Sequence, residues 1–199
     1  MKLAVSLLLA STSATRRAIL TASGSPHDAV ASGVDERAVE EELGDVAPAV
    51  LAATLAQKKA LAVPADAGTL VLGCDQVLET QDGRVLSKPA TIADLRAQLL
   101  DLRGKPHRLI SAAAIAEDGD IVWRASETVT LRMRAFSDDF LDAYLVQEGA
   151  AAIDCVGGYR IEGLGAQLFD AIEGSHFAIL GLPLLPLLSY LRERGVIQP

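Results

Sequence analysis

Leu70-Val71-Leu72-Gly73-Cys74-Asp75-Gln76 begins as a short apolar run rich in β-formers and breaks off in a charge. That pattern predicts a buried strand over Leu70–Cys74, ended by Asp75 because a strand interior does not tolerate an unpaired carboxylate. In an α/β protein, the C-terminal end of a buried strand is where ligands and chemistry are placed. Glu79 to Leu86 reads as two strand arms joined at Asp82-Gly83, a strong hairpin signal. The hairpin is expected to fold Lys88 back towards Asp75. An acid and a base beside a sheet suit a metal, a phosphate or both. The competing reading of a lone acid after a strand is a turn residue or helix cap.

The rest of the chain sets the frame. Its 199 residues fit one domain, 1–199, and 50% apolar composition provides for a sizeable core. Aromatic residues are only 4%, so that core must be aliphatic. A net charge of −8 argues against a nucleic-acid partner, which needs a basic face. Cys74 and Cys155 read as buried small hydrophobes in a reducing compartment, not as a disulfide. The three histidines are scattered, so a structural zinc site is not expected. Met1 to Ala14 imitates a signal peptide, but its apolar middle is short, and a first strand over Leu3–Ala10 is the preferred reading. No stretch is long and apolar enough to span a bilayer. The expectation is a cytoplasmic protein with no membrane association.

After the first strand, Ser11-Thr12-Ser13 supplies N-cap chemistry for a helix over Arg16–Ser23, closed by Gly24. A strand, a Ser/Thr-rich loop and a helix start present N–H groups and hydroxyls to an anion. Arg16 and Arg17 in the first turn oppose the helix dipole, and such a breach of a local rule tends to fall at a site. A solvated arginine pair on a surface helix is the competing reading. Helices are also expected at Arg37–Leu43 after Asp35-Glu36, Pro48–Val63, Thr91–Leu102, Asp138–Gln147 behind Ser137, and Pro183–Arg194. At most one of Lys58 and Lys59 points inwards. Two long strands, His107–Ala116 and Ile121–Met133, meet at Asp118-Gly119-Asp120, and Ala166–Ile172 is a further strand. The glycines of Gly157 to Gly165 indicate tight turns and close backbone approach to a ligand.

Ser11-Thr12-Ser13-x-x-Arg16-Arg17, Val34-Asp35-Glu36, Ala56-x-x-Lys59-Ala60, Gly73-x-Asp75-Gln76-Val77, Lys88-Pro89, Glu162-Gly163-Leu164-Gly165 and Glu173-Gly174 leading to Gly181-Leu182-Pro183 occur in one order. Together they resemble the Maf family of nucleoside triphosphate pyrophosphatases, from about Leu7 to Arg194. The resemblance implies an elongated Maf/ITPase-like α/β fold, a mixed twisted sheet flanked by helices with a central nucleotide cleft, and a homodimer. It also implies hydrolysis between the α- and β-phosphates with a divalent metal, Mg²⁺ or Mn²⁺. Carried over residue by residue, Ser11, Ser13, Arg16, Arg17, Lys59 and Lys88 become triphosphate-side contacts, Arg16 and Lys88 being catalytic together with Asp75. Glu36 and Asp75 become the metal-side acids, Asp75 also being the family's proposed base. Those residue types suit the chemistry: Arg and Lys offset phosphate charge, and carboxylates suit a hard cation that bridges phosphates. Asp75 as a base and Asp75 as a metal ligand both stay open.

Gln76 after the Asp, the opening Ala10-Ser11-Thr12-Ser13, and Glu162 where the pyrimidine branch carries Gln resemble the 7-methyl-GTP branch. A carboxylate only accepts, so Glu162 can pair with the adjacent N1–H and N–H₂ donors of guanine, whereas thymine would set a carbonyl against it. Thr15 and Gln76 are carried over with Glu162 as substrate-binding residues, although Thr15 stands where that branch usually has Trp. Ala14, Ser87, Ser175 and Ala178 are further departures from the family pattern. The alternatives are a dTTP/UTP pyrophosphatase of the same family and a nucleotide-binding cell-division regulator with little catalysis.

Overall fold

A computed structural model describes residues 6–199, so the Leu3–Val5 part of the expected first strand lies outside the described residues. The strands are β1 (Leu7–Ala10), β2 (Asp28–Val30), β3 (Leu70–Thr80), β4 (Val85–Leu86), β5 (Pro106–Glu117), β6 (Asp120–Met133) and β7 (Phe169–Glu173). The helices are α1 (Ala14–Ala22), α2 (Glu36–Leu43), α3 (Pro48–Ala62), α4 (Ile92–Leu102), α5 (Asp138–Ala152), α6 (His176–Ile179) and α7 (Leu184–Glu193). The strands form one mixed sheet in the order β2-β1-β3-β5-β6-β7, with β4 paired on β3. β1 runs parallel to both β2 and β3, in the register Leu8 to Asp28 and Leu8 to Val71. The β3–β4 and β6–β7 pairs are antiparallel. This is the expected mixed α/β sheet flanked by helices.

The chain gathers into two compact units, and β3, β5 and β6 each contribute residues to both. The first comprises the chain up to Gln76, Ser111–Glu127 and His176–Pro199. Its core is aliphatic, as the composition required: Leu7, Leu9, Leu20, Leu70, Leu72, Ile115 and Leu187 are buried together. Trp123 stacks on Tyr190 at 5.5 Å between ring centroids and packs against this core. The second unit comprises Val77–Ile110 and Thr128–Ser175. Leu95, Leu99, Leu131, Leu141 and Leu168 are buried there, beside a small aromatic group of His107, Tyr159 and Phe169.

Local chemistry decides where the helices start. Ser13, Asp35, Thr91 and Ser137 are N-caps, each side chain accepting from a backbone N–H three residues on, at 3.1–3.3 Å. Each such cap contributes about 1 kcal/mol. The Asp118-Gly119 turn carries positive φ at both residues, 53° and 89°, as a tight two-residue hairpin demands. Four readings are corrected. β2 and α6 have too few residues to show a period and were not foreseen. α5 runs on to Ala152, past the expected end at Gln147. Leu164–Leu168 is a 3₁₀ turn, so β7 begins only at Phe169. Cys155 is half-buried, not buried as expected. Both cysteines are free, and Cys74 is fully buried. Among the described residues no helix is long and apolar enough to cross a membrane.

Burial lowers the His107 pKa from its ordinary 6.5 to about 4. Above pH 6.5 the imidazole is neutral in both folded and unfolded chains and costs nothing. Between pH 6.5 and 4 only the unfolded chain takes the proton, so the folded state loses stability as the pH falls. The loss attributable to this residue is about 3 kcal/mol by pH 4. Urea unfolding at pH 7 and pH 4.5 should show it as a fall in midpoint that is smaller in His107→Phe. Equal pH dependence in the two chains would remove His107 as its source.

Candidate active site

Asp75 is not at the end of its strand. β3 continues through it to Thr80, so the carboxylate stands in a strand interior and is only 6% exposed. The premise that an unpaired acid cannot sit there still holds, because Asp75 is paired: Lys59 Nζ donates to its Oδ1 at 2.7 Å. The same ammonium lies 2.5 Å from Glu36 Oε1. Lys59 is itself buried, whereas Lys58 turns outward to Glu42, so one lysine of the two points in, as expected.

Three elements bring this trio together. Lys59 is late in α3, Glu36 opens α2 directly after its Asp35 cap, and Asp75 lies on the central strand. Gly73 makes the approach possible. A Cβ there would sit 2.1 Å from the Ala56 carbonyl oxygen and 2.5 Å from the Ala60 nitrogen, so strand and helix lie backbone against backbone. Burial raises the Asp75 pKa above the ordinary carboxylate value, with Lys59 and then Arg16 pulling it back. A carboxyl tuned upward in this way is a better proton acceptor near neutrality than a solvated aspartate.

Arg16 and Arg17 part company. Arg16 turns in: its Nε donates to the Gly181 carbonyl at 2.8 Å, and its Nη1 to the Cys74 carbonyl at 3.2 Å and the Ser11 Oγ at 3.4 Å. Gly181, at φ 88°, has Arg16 Nη2 3.1 Å from where a Cβ would be, so only glycine lets the guanidinium lie flat against that turn. Arg17 is exposed and lines a shallow depression with Thr21, His27 and Asp28. The two arginines of the pair thus differ in setting, Arg16 held by backbone carbonyls and Arg17 facing solvent.

Ser13 is occupied as the α1 cap, and Ser11 Oγ accepts from the Ser13 N–H at 3.2 Å, so both hydroxyls shape the loop that precedes the helix. Thr15 is half-buried in the first turn of α1. Gln76 is held in the fold by its own hydrogen bonds. Its amide nitrogen donates to the carbonyls of Ala178 and Ile179 at 2.8 and 3.0 Å and to Ser111 Oγ at 2.9 Å. Ser111 in turn donates to the Ala178 carbonyl at 2.6 Å. Sequence reasoning missed Ser111 and the Gly181 carbonyl, because a serine in an apolar strand and a backbone oxygen carry no motif. In the second unit, Lys88 is exposed in the loop after β4. Glu162 is exposed in the turn ahead of the 3₁₀ segment, 3.9 Å from Arg160 Nε.

Glu36 and Asp75 each set a carboxylate oxygen within 2.7 Å of the Lys59 ammonium, and oxygen donors of this kind are the ones that would suit a hard divalent ion. Among the described residues no group of three or more His, Cys, Asp or Glu side chains that could hold a metal ion occurs.

The mixed α/β sheet thus carries a buried Lys59–Asp75 pair, joined by the exposed Glu36 and flanked by an anchored arginine. The chain belongs to the Maf-like protein family, whose model matches residues 6–194. It is 45% identical over 192 residues to a protein of Rhodopseudomonas palustris named nucleoside triphosphate pyrophosphatase, covering 96% of this chain and 95% of that one. It is also 45% identical over 195 residues to a Mesorhizobium japonicum protein named 7-methyl-GTP pyrophosphatase, covering 96% and 98%. A second protein of that name, from Rhizobium meliloti, is 43% identical over 197 residues, covering 96% and 98%. The expected family is the family found, and it is one of enzymes.

Proposed function

We propose that this chain is a pyrophosphatase of nucleoside 5'-triphosphates that cuts between the α- and β-phosphates, with 7-methyl-GTP as its substrate. The observation that carries the reading is the Lys59 ammonium held between Glu36 and Asp75, with Arg16 anchored at the neighbouring Cys74 carbonyl. Asp75 accepts the proton of the attacking water. Arg16 and Lys59 set positive charge against the triphosphate, and Lys88, Arg17, Ser11 and Ser13 complete its contacts. A Mg²⁺ or Mn²⁺ ion, when bound, would be held by Glu36 and Asp75 and would neutralise phosphate charge and acidify water.

Glu162 supplies the base preference, since its oxygens can accept from the two adjacent donors of guanine and favour a cationic methylated ring. Relatives named for 7-methyl-GTP support this choice. A regulator that only binds nucleotide would have no need of a buried carboxylate held beside a buried lysine. The reading includes a cytoplasmic homodimer, whose dimeric state sedimentation of the purified chain tests directly.

Pyrophosphate release against a nucleotide panel with Mg²⁺ or Mn²⁺ separates these readings. We expect 7-methyl-GTP to be turned over fastest, and Glu162→Gln to lower its kcat/KM relative to UTP by about tenfold or more. Unchanged relative rates would take base recognition away from Glu162. No turnover of any nucleotide would leave the binding-only reading.

A further inference from the structure

The loop from Cys155 to Gly165 is fastened from beneath at three points. Gln98 Nε2 donates to the Val156 carbonyl at 2.5 Å, and Tyr144 Oη to the Gly158 carbonyl at 3.2 Å. The third fastening joins two side chains, His107 Nε2 and Tyr159 Oη, 2.7 Å apart. Both are buried, at 1% and 5% exposure. Phe169 closes over them, 4.7 Å edge-on from Tyr159 and 6.0 Å from His107. His107 Nδ1 is buried with no hydrogen-bond partner among the described residues. A phenylalanine would fill the same space without leaving that nitrogen unsatisfied, so the single contact with Tyr159 is what the imidazole provides.

The segment directly after Tyr159 is closed on itself. The Gly163 N–H donates to the Arg160 carbonyl at 3.2 Å, and a Cβ on Gly165 would lie 2.3 Å from the same oxygen. Arg160 to Gly165 is thus a closed turn fixed directly to Tyr159, and Glu162 is in it.

We propose that His107 is a positioning residue for base selection, holding through the Tyr159 hydroxyl the turn that presents Glu162. This rests on the reading of Glu162 given above. Accepting from two neighbouring N–H groups demands both carboxylate oxygens within about 2.7–3.2 Å of their donors. A turn free to drift by an ångström forfeits that match while leaving Asp75 and Lys59 as they are.

The test compares His107→Phe, Tyr159→Phe, the double variant and Glu162→Gln, measuring pyrophosphate release from 7-methyl-GTP and from UTP with Mg²⁺. The double variant keeps the proposal testable if either single variant folds poorly, because replacing both partners with apolar rings leaves no orphaned group. The expected result is a KM for 7-methyl-GTP raised about tenfold in the double variant. Its kcat should change by less than about twofold, and its constants for UTP should match the wild type. A folded double variant with wild-type KM for 7-methyl-GTP overturns the proposal. So do equal losses on both nucleotides, which mark a merely structural pair. If Glu162→Gln also keeps wild-type selectivity, base recognition by Glu162 fails and the proposal falls with it. If Glu162→Gln loses selectivity and the double variant does not, only the latch is wrong.

Discussion

Asp75→Asn should lower kcat for nucleotide hydrolysis by about 10³-fold while leaving the chain folded. The amide keeps the shape and one acceptor for Lys59, but it neither takes a proton nor carries charge. Removing one partner of a buried ion pair ordinarily destabilises a protein by about 3–5 kcal/mol, since the other charge is stranded. Here the Lys59 ammonium retains Glu36 at 2.5 Å, and Glu36 is half-exposed, so most of that penalty is avoided. Circular dichroism and urea unfolding should therefore resemble the wild type. In the wild type, the acid limb of kcat/KM should lie above the ordinary carboxylate value of 3.8, because burial raises the Asp75 pKa and activity needs the ionised form. Appreciable turnover in Asp75→Asn would remove Asp75 from the chemistry.

Gly73→Ala should cost about 3 kcal/mol of folding stability. The added carbon would fall 2.1 Å from one backbone atom of α3 and 2.5 Å from another. Neither is the end of a flexible side chain, so β3 and α3 must move apart. That displacement also separates Lys59 from Asp75, and activity at permissive temperature should fall with stability. A stability within about 0.5 kcal/mol of the wild type, measured by urea unfolding, would contradict the close approach.

Helix starts and tight turns were legible in the sequence because their causes are local. Ser13, Asp35, Thr91 and Ser137 satisfy backbone N–H groups three residues away, and Asp118-Gly119 needs only its own dihedral angles. The family motifs also marked Asp75, Lys59 and Arg16 as chemistry-bearing residues before any coordinates. Tertiary structure alone decided what those residues do to one another. The strand runs through Asp75 only because an ammonium sixteen residues away in sequence neutralises its charge. Likewise, Arg16 turns in and Arg17 out because one meets carbonyls from Cys74 and Gly181 and the other meets solvent. Composition and periodicity register the neighbours along a chain, whereas a buried charge is tolerated only by partners that folding brings from elsewhere.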